Sequence, residues 1–92
     1  MDVYVACFDI EDDRARRKVS KILLEHGDRV QYSVFEISVR NKTVLSQIKN
    51  RCASYLEESD RLYFYWLPLE ARARSHDVWG NPIAVYPQAV IL

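Results

Sequence analysis

The sequence predicts an α+β domain in the order strand, helix, strand, strand, helix, strand, and three observations carry it. Apolar residues recur at helical spacing in two stretches, from Asp12 or Asp13 to about His26 and from Asn41 or Thr43 to about Glu57. Runs rich in β-branched and aromatic residues stand before, between and after them. Cap and turn residues punctuate the boundaries.

The first strand, 3–9, has no polar face. Val3, Val5, Cys7 and Asp9 point one way while Tyr4, Ala6 and Phe8 point the other, so both sides need cover. The strand ends at Asp9, and an acidic turn (Glu11, Asp12, Asp13) leads into the basic run Arg14-Ala15-Arg16-Arg17-Lys18. Asp12 or Asp13 is a good cap for the first helix, whose apolar stripe is Ala15, Val19, Ile22, Leu23 and His26. Gly27 is the expected C′ residue that stops it.

Arg29 to Val39 has strand composition throughout but is too long for one comfortable strand, so it divides near Tyr32-Ser33. In its second half Phe35, Ile37 and Val39 alternate with Glu36 and Ser38, a half-buried pattern. Val44, Leu45, Ile48, Cys52, Tyr55 and Leu56 supply the stripe of the second helix. Arg61 to Leu67 is the most aromatic strand and is apolar on both faces, and Pro68 ends it. The sequence divides into a core, 1–68, and a tail, 69–92, within one domain. The tail is polar over Glu70 to Asp77, a composition that favours mobility. It carries turn signals at Gly80-Asn81-Pro82 and Pro87, then a short terminal strand, Ala89 to Leu92.

This order is the ferredoxin-like split βαβ arrangement, in which right-handed crossovers place both helices on one face of an antiparallel sheet. Two helices cover one face only, whereas the first and last core strands are apolar on both. The uncovered face would leave an aromatic patch in water, so a second copy of the chain is expected to cover it as a homodimer. The terminal strand could then add to the partner's sheet edge. A chain of 92 residues sits near the lower limit for independent stability, which favours the same conclusion.

Charge is balanced, 13 basic against 13 acidic side chains, so nucleic-acid binding gains no support from the total and must rest on placement. Cys7 and Cys52 lie in apolar contexts at a spacing that fits no metal motif. They read as small buried hydrophobes, with a reducing cytoplasm as the expected setting. The chain enters its first strand directly after Met1-Asp2, which predicts no signal peptide, and no apolar run is long enough to span a bilayer.

Two segments carry a resemblance: Cys7-Phe8-Asp9-Ile10-x-Asp12-Asp13-x-x-Arg16-Arg17-Lys18-Val19, and Gly27-x-Arg29-Val30-Gln31-Tyr32-Ser33-Val34-Phe35-Glu36. Together they resemble CRISPR-associated protein two, the small partner of the integrase in CRISPR adaptation, and the likeness extends over essentially the whole chain. The resemblance implies a ferredoxin-like homodimer that bridges integrase dimers and holds the duplex DNA of a new spacer. It also implies a magnesium- or manganese-dependent endonuclease on single-stranded RNA or double-stranded DNA. Its catalytic and metal-binding residue would be Asp9, supported by Arg16, Lys18, Arg29 and Phe35. Two positions depart from the family pattern: Phe8 stands where Tyr is frequent, and Lys18 where Arg also occurs.

The residues themselves leave alternatives open. Asp9 is either a ligand for a hard cation or a capping or salt-bridged residue at a strand end. Glu11, Asp12 and Asp13 could join a metal site, but capping is the better role for Asp12 and Asp13. Arg14, Arg16, Arg17, Lys18, Lys21 and Arg29 form either a phosphate-contacting patch, with help from Arg72 and Arg74, or a solvated helix face. Tyr63, Phe64, Tyr65 and Trp66 suit core and dimer interface better than base stacking. His26 reads as a helix-end or core residue and His76 as a solvated one. The expected function is a dimeric, duplex-binding adaptation scaffold with a metal-dependent nuclease centre at Asp9. The alternatives are a stand-alone, toxin-like endoribonuclease and a non-enzymatic ligand-binding regulatory domain of the same fold.

Overall fold

The acidic corner and the polar turns set the element boundaries in the computed structural model, which describes residues 1–84. Strand β1 (Asp2–Asp9) leads to helix α1 (Asp13–Leu24), then strands β2 (Gly27–Gln31) and β3 (Val34–Val39). Helix α2 (Lys42–Ala53), strand β4 (Arg61–Trp66) and a short helix α3 (Leu69–Ala73) follow. The strands form one antiparallel sheet in the order β2-β3-β1-β4, the ferredoxin-like topology that the element order predicts. The expected terminal strand, 89–92, lies outside the described residues.

Both long helices start where a side chain satisfies an orphan amide. Asp12 accepts from the Ala15 amide at 2.8 Å, and Asn41 accepts from the Val44 amide at 3.0 Å. Helix α1 ends two residues before its apolar stripe does, with the Glu25 and His26 amides closing on the Ile22 and Leu23 carbonyls. Gly27 is not its C′ residue. It opens β2, where a Cβ would fall 1.9 Å from the Glu36 carbonyl oxygen, so glycine is required by strand packing and not by a left-handed turn. Helix α2 stops at Ala53, short of the expected Glu57. Tyr55 and Leu56 keep the helical spacing, but their amides bond three residues back, to Cys52 and Ala53, in a tightening turn.

The core lies between the helices and one sheet face. Phe35, Ile37 and Val39 of β3 and Ala6 and Phe8 of β1 meet Val19, Leu23, Leu45, Ile48 and Cys52, all buried. Cys52 behaves as a small hydrophobe, and burial pushes its thiol up to about 11. The opposite face carries Val5 and Cys7, half-buried, beside Tyr63 and Tyr65, exposed. These two tyrosines stack on each other with ring centroids 6.1 Å apart.

The Glu70–Asp77 segment is more ordered than its polar composition suggests. Its first half belongs to α3, and Asp77 organises the next turn by accepting from the Trp79 and Asn81 amides at 2.8 and 2.9 Å. Gly80 closes that turn at φ +86°, a conformation that favours glycine. His26 is half-buried just past α1, and its carbonyl accepts from the Ser38 amide at 2.9 Å; His76 is exposed.

Candidate functional site

Three elements converge on Asp9. Strand β1 delivers it to the sheet's end, opposite Arg61 of β4. The β2–β3 turn closes over the same end, since the Phe8 amide donates to the Ser33 carbonyl at 3.0 Å. The acidic loop then leads into α1. Phe8, Asp9, Ile10, Arg16, Tyr32 and Ser33 line a cavity of about 210 Å³ at this corner.

Asp9 is exposed, and among the described residues its carboxylate enters no ion pair and accepts no hydrogen bond. Its cross-strand neighbour does not pair with it: Arg61 Nη1 donates to the Glu58 and Asp60 carbonyls at 3.0 and 2.9 Å. Arg16 pins the loop that follows. Its Nη1 donates to the Ile10 carbonyl at 2.8 Å and the Glu11 carbonyl at 2.7 Å, and its Nη2 to Asp13 Oδ1 at 2.8 Å. Arg16 Nε is buried with no partner among the described residues. Asp60 steadies the loop from the other side, accepting from the Glu11 and Glu57 amides at 3.3 and 2.8 Å.

The charges at this corner reinforce one another. The hydrogen bond from Arg16, then the charge of Arg17, hold the Asp13 carboxyl below the usual carboxylate range. Arg16 is raised above its ordinary value, first by Asp13, with the Tyr32 phenol adding to the effect. Arg29 Nη2 donates to Ser20 Oγ at 2.9 Å, and its guanidinium lies over the Phe35 ring at 5.0 Å and the Tyr32 ring at 5.7 Å.

The expected site residues therefore separate into groups. Asp9, Arg16 and the Arg29–Tyr32 pair gather at one corner. Phe35 is fully buried, stacked on Phe8 at 6.0 Å, and forms the floor beneath Arg29. Lys18 and Lys21 instead line a separate cavity of about 380 Å³ with Ile22, Glu25, Arg51, Ser54 and Tyr55. Arg14 is exposed, and Arg17 is tied to Asp13. Asp12 and Asp13 serve the start of α1, as a cap and an arginine partner.

Ser20, Tyr32 and Arg51 join these clusters although the sequence does not mark them as site residues; Tyr32 stands out there only as a turn position within the resemblance segment. Ser20 and Arg51 sit at ordinary helix positions. Arg51 is held by Glu25 through two hydrogen bonds of 2.9 and 3.0 Å that link α2 to the end of α1.

Magnesium and manganese take hard oxygen donors. No group of three or more His, Cys, Asp or Glu side chains suited to a metal occurs among the described residues. Among the described residues the Asp9 cavity is lined by a single carboxylate, which does not by itself fit such an ion.

Fold and corner together define a class: a ferredoxin-like α+β protein with an exposed strand-end carboxylate beside an arginine. Residues 1–74 match the family described as CRISPR associated protein Cas2, and the chain belongs to that family. It is 37% identical over 94 residues to a Synechocystis sp. protein named CRISPR-associated endoribonuclease Cas2 3, covering 100% of this chain and 99% of that one. A chain from a solved structure described as a partial Cas6-RT-Cas1–Cas2 complex superposes with a TM-score of 0.83 at 36% identity. That match covers 94% of this chain and 100% of the other. The crystal structure of Streptococcus pyogenes Cas2 gives a TM-score of 0.73 at 28% identity, covering 83% and 98%. Among the described residues no helix is long and apolar enough to cross a membrane.

Proposed function

We propose that this protein is a homodimeric nuclease of CRISPR adaptation that binds duplex DNA alongside the integrase and cleaves phosphodiesters at Asp9. The observation that carries the reading is the state of Asp9. Among the described residues it is an exposed carboxylate without an ion pair or hydrogen bond, held in a cavity whose other charged wall is Arg16. A carboxylate kept idle beside fixed cations suits a role toward an incoming group better than a structural one. The Synechocystis relative's name, an endoribonuclease, and the assembly of the structural neighbour with Cas1 support activity and partner respectively.

Two copies joined through the open sheet face would contribute one Asp9 each. Together these carboxylates supply the hard oxygen donors that a single chain lacks. A magnesium or manganese ion bound there would supply Lewis acidity toward phosphate and water. Arg16 holds the loop beyond Asp9 in place through the Ile10 and Glu11 carbonyls, so the carboxylate keeps its direction. Arg29, on its aromatic floor, and Arg14 present positive charge to the phosphate backbone. Lys18 and Lys21 extend that charge along α1 toward α2 and suit a long duplex better than the reacting phosphate.

Cleavage of labelled single-stranded RNA and duplex DNA by wild type and Asp9→Ala, with magnesium and with chelator, tests this. The expected result is cleavage that needs both the metal and Asp9, with at least about a 100-fold loss in the variant. Duplex binding should persist in Asp9→Ala and weaken steeply with salt. Cleavage unchanged in Asp9→Ala would remove the nuclease assignment. Indifference to nucleic acid would remove both roles.

A further inference from the structure

A register shift in β2 places an aromatic ring at the mouth of the Asp9 cavity. Residues three apart on a regular strand lie on opposite faces, so Arg29 and Tyr32 should not meet. The β2–β3 register slips between Arg29 and Gln31, and the extra residue re-phases the chain before the turn. The Arg29 guanidinium consequently lies over the Tyr32 ring at 5.7 Å. Tyr32 also lines the cavity that holds Asp9 and Arg16. The ring remains 68% exposed, with Arg29 over it.

We infer that Tyr32 is a nucleobase platform, on which a base of a single-stranded RNA stacks next to a phosphate drawn to Arg29. An exposed aromatic ring with one guanidinium over it and a second lining the same cavity matches the alternation of base and phosphate along a single strand. A duplex buries its base faces in the stack and offers the ring nothing comparable. Tyr63 and Tyr65, though also exposed, stack on each other on the open sheet face, and the Trp79 ring belongs to the Asp77 turn. Tyr32 is the exposed ring that shares a cavity with the candidate catalytic carboxylate. The inference rests on the nuclease reading for its meaning but not for its test, because binding is measured without cleavage.

The test is fluorescence anisotropy of a labelled single-stranded RNA oligomer in chelator, with wild type, Tyr32→Phe and Tyr32→Ala. Each is also titrated with an oligomer of the same length whose bases are removed and with a duplex DNA. Stacking of one base predicts about ten-fold weaker RNA binding for Tyr32→Ala and a change under about two-fold for Tyr32→Phe. The Tyr32→Ala effect should vanish with the abasic strand and with the duplex. Equal losses on abasic and normal strands would overturn the inference, because Tyr32 would then act by placing Arg29 and Arg16. Unchanged RNA affinity in Tyr32→Ala, or no RNA binding by wild type, would overturn it as well. Loss of cleavage dependence on Asp9 with the stacking pattern intact would instead fault the nuclease reading.

Discussion

One strand serves both faces of the sheet, and the two faces have different fates. On one side of β1, Ala6 and Phe8 are buried beneath α1 and α2 with Phe35 and Ile37. On the other side Val5 and Cys7 lie half-buried, and Tyr63 and Tyr65 are 49% and 57% exposed. Both faces are apolar, yet among the described residues the helices cover only the first. Among the described residues the tail meets this side of the sheet at Glu36, the cross-strand partner of Val5, whose Oε1 accepts from the Ala84 amide at 2.7 Å. The difference teaches that the hydrophobic pattern exceeds what the two helices cover: one face closes against them, while the tyrosines of the other stay exposed.

The strongest break of this contrast is on the covered face. Phe35 is fully buried, with Phe8 stacked on it and Arg29 above it. Phe35→Ala should cost about 3–5 kcal/mol in denaturant unfolding and loosen the floor under Arg29 at the same time. A loss under about 1 kcal/mol would mean the helix-covered face is not the main core.

The next effect belongs to the open face. Tyr63→Glu with Tyr65→Glu places charges where a second copy is proposed to dock. Sedimentation should show a homodimer in wild type and a monomer in the variant, with dimer affinity falling by at least about 100-fold. Circular dichroism should show the fold retained, since both side chains already face solvent in the single chain. A wild type that sediments as a monomer, or a variant that stays dimeric, would detach the open face from dimerisation.

Much of this contrast is legible in the sequence, for identifiable reasons. Alternation in Phe35, Ile37 and Val39, and helical spacing in Ala15, Val19, Ile22 and Leu23, report burial directly because the backbone period fixes which side chains share a face. The split at Tyr32-Ser33 and the caps Asp12 and Asn41 follow from local chemistry in the same way. What periodicity misses depends on contacts remote in sequence. Gly27 looks like a helix stop, but its requirement comes from the Glu36 carbonyl across the hairpin. Tyr55 and Leu56 continue the stripe of α2 although the backbone has left it.

The site was less legible than the fold. Asp9 stood out as a charge ending an apolar strand, but its lack of a partner among the described residues depends on where all their other side chains go. Arg16 and Lys18 read as one basic run, yet two positions on a helix are about 200° apart. Arg16 accordingly turns to the acidic loop, while Lys18 faces the cavity by Arg51. Tyr32 reaches Arg29 only through the register slip, which no residue pattern announces.

The smallest effect gives the sharpest comparison, between two carboxylates three residues apart in the same acidic corner. Asp12 carries a defined structural load, accepting from the Ala15 amide at 2.8 Å at the start of α1. Asp12→Ala should therefore cost about 1 kcal/mol of stability while leaving cleavage close to wild type. Asp9 accepts nothing within the described chain, so Asp9→Ala should change stability by less than about 0.5 kcal/mol while abolishing cleavage. Denaturant unfolding and the cleavage assay, run on both variants, separate the two kinds of residue. If Asp9→Ala instead lost as much stability as Asp12→Ala, the carboxylate at the end of β1 would hold the corner together, and its effect on cleavage would follow from structure alone.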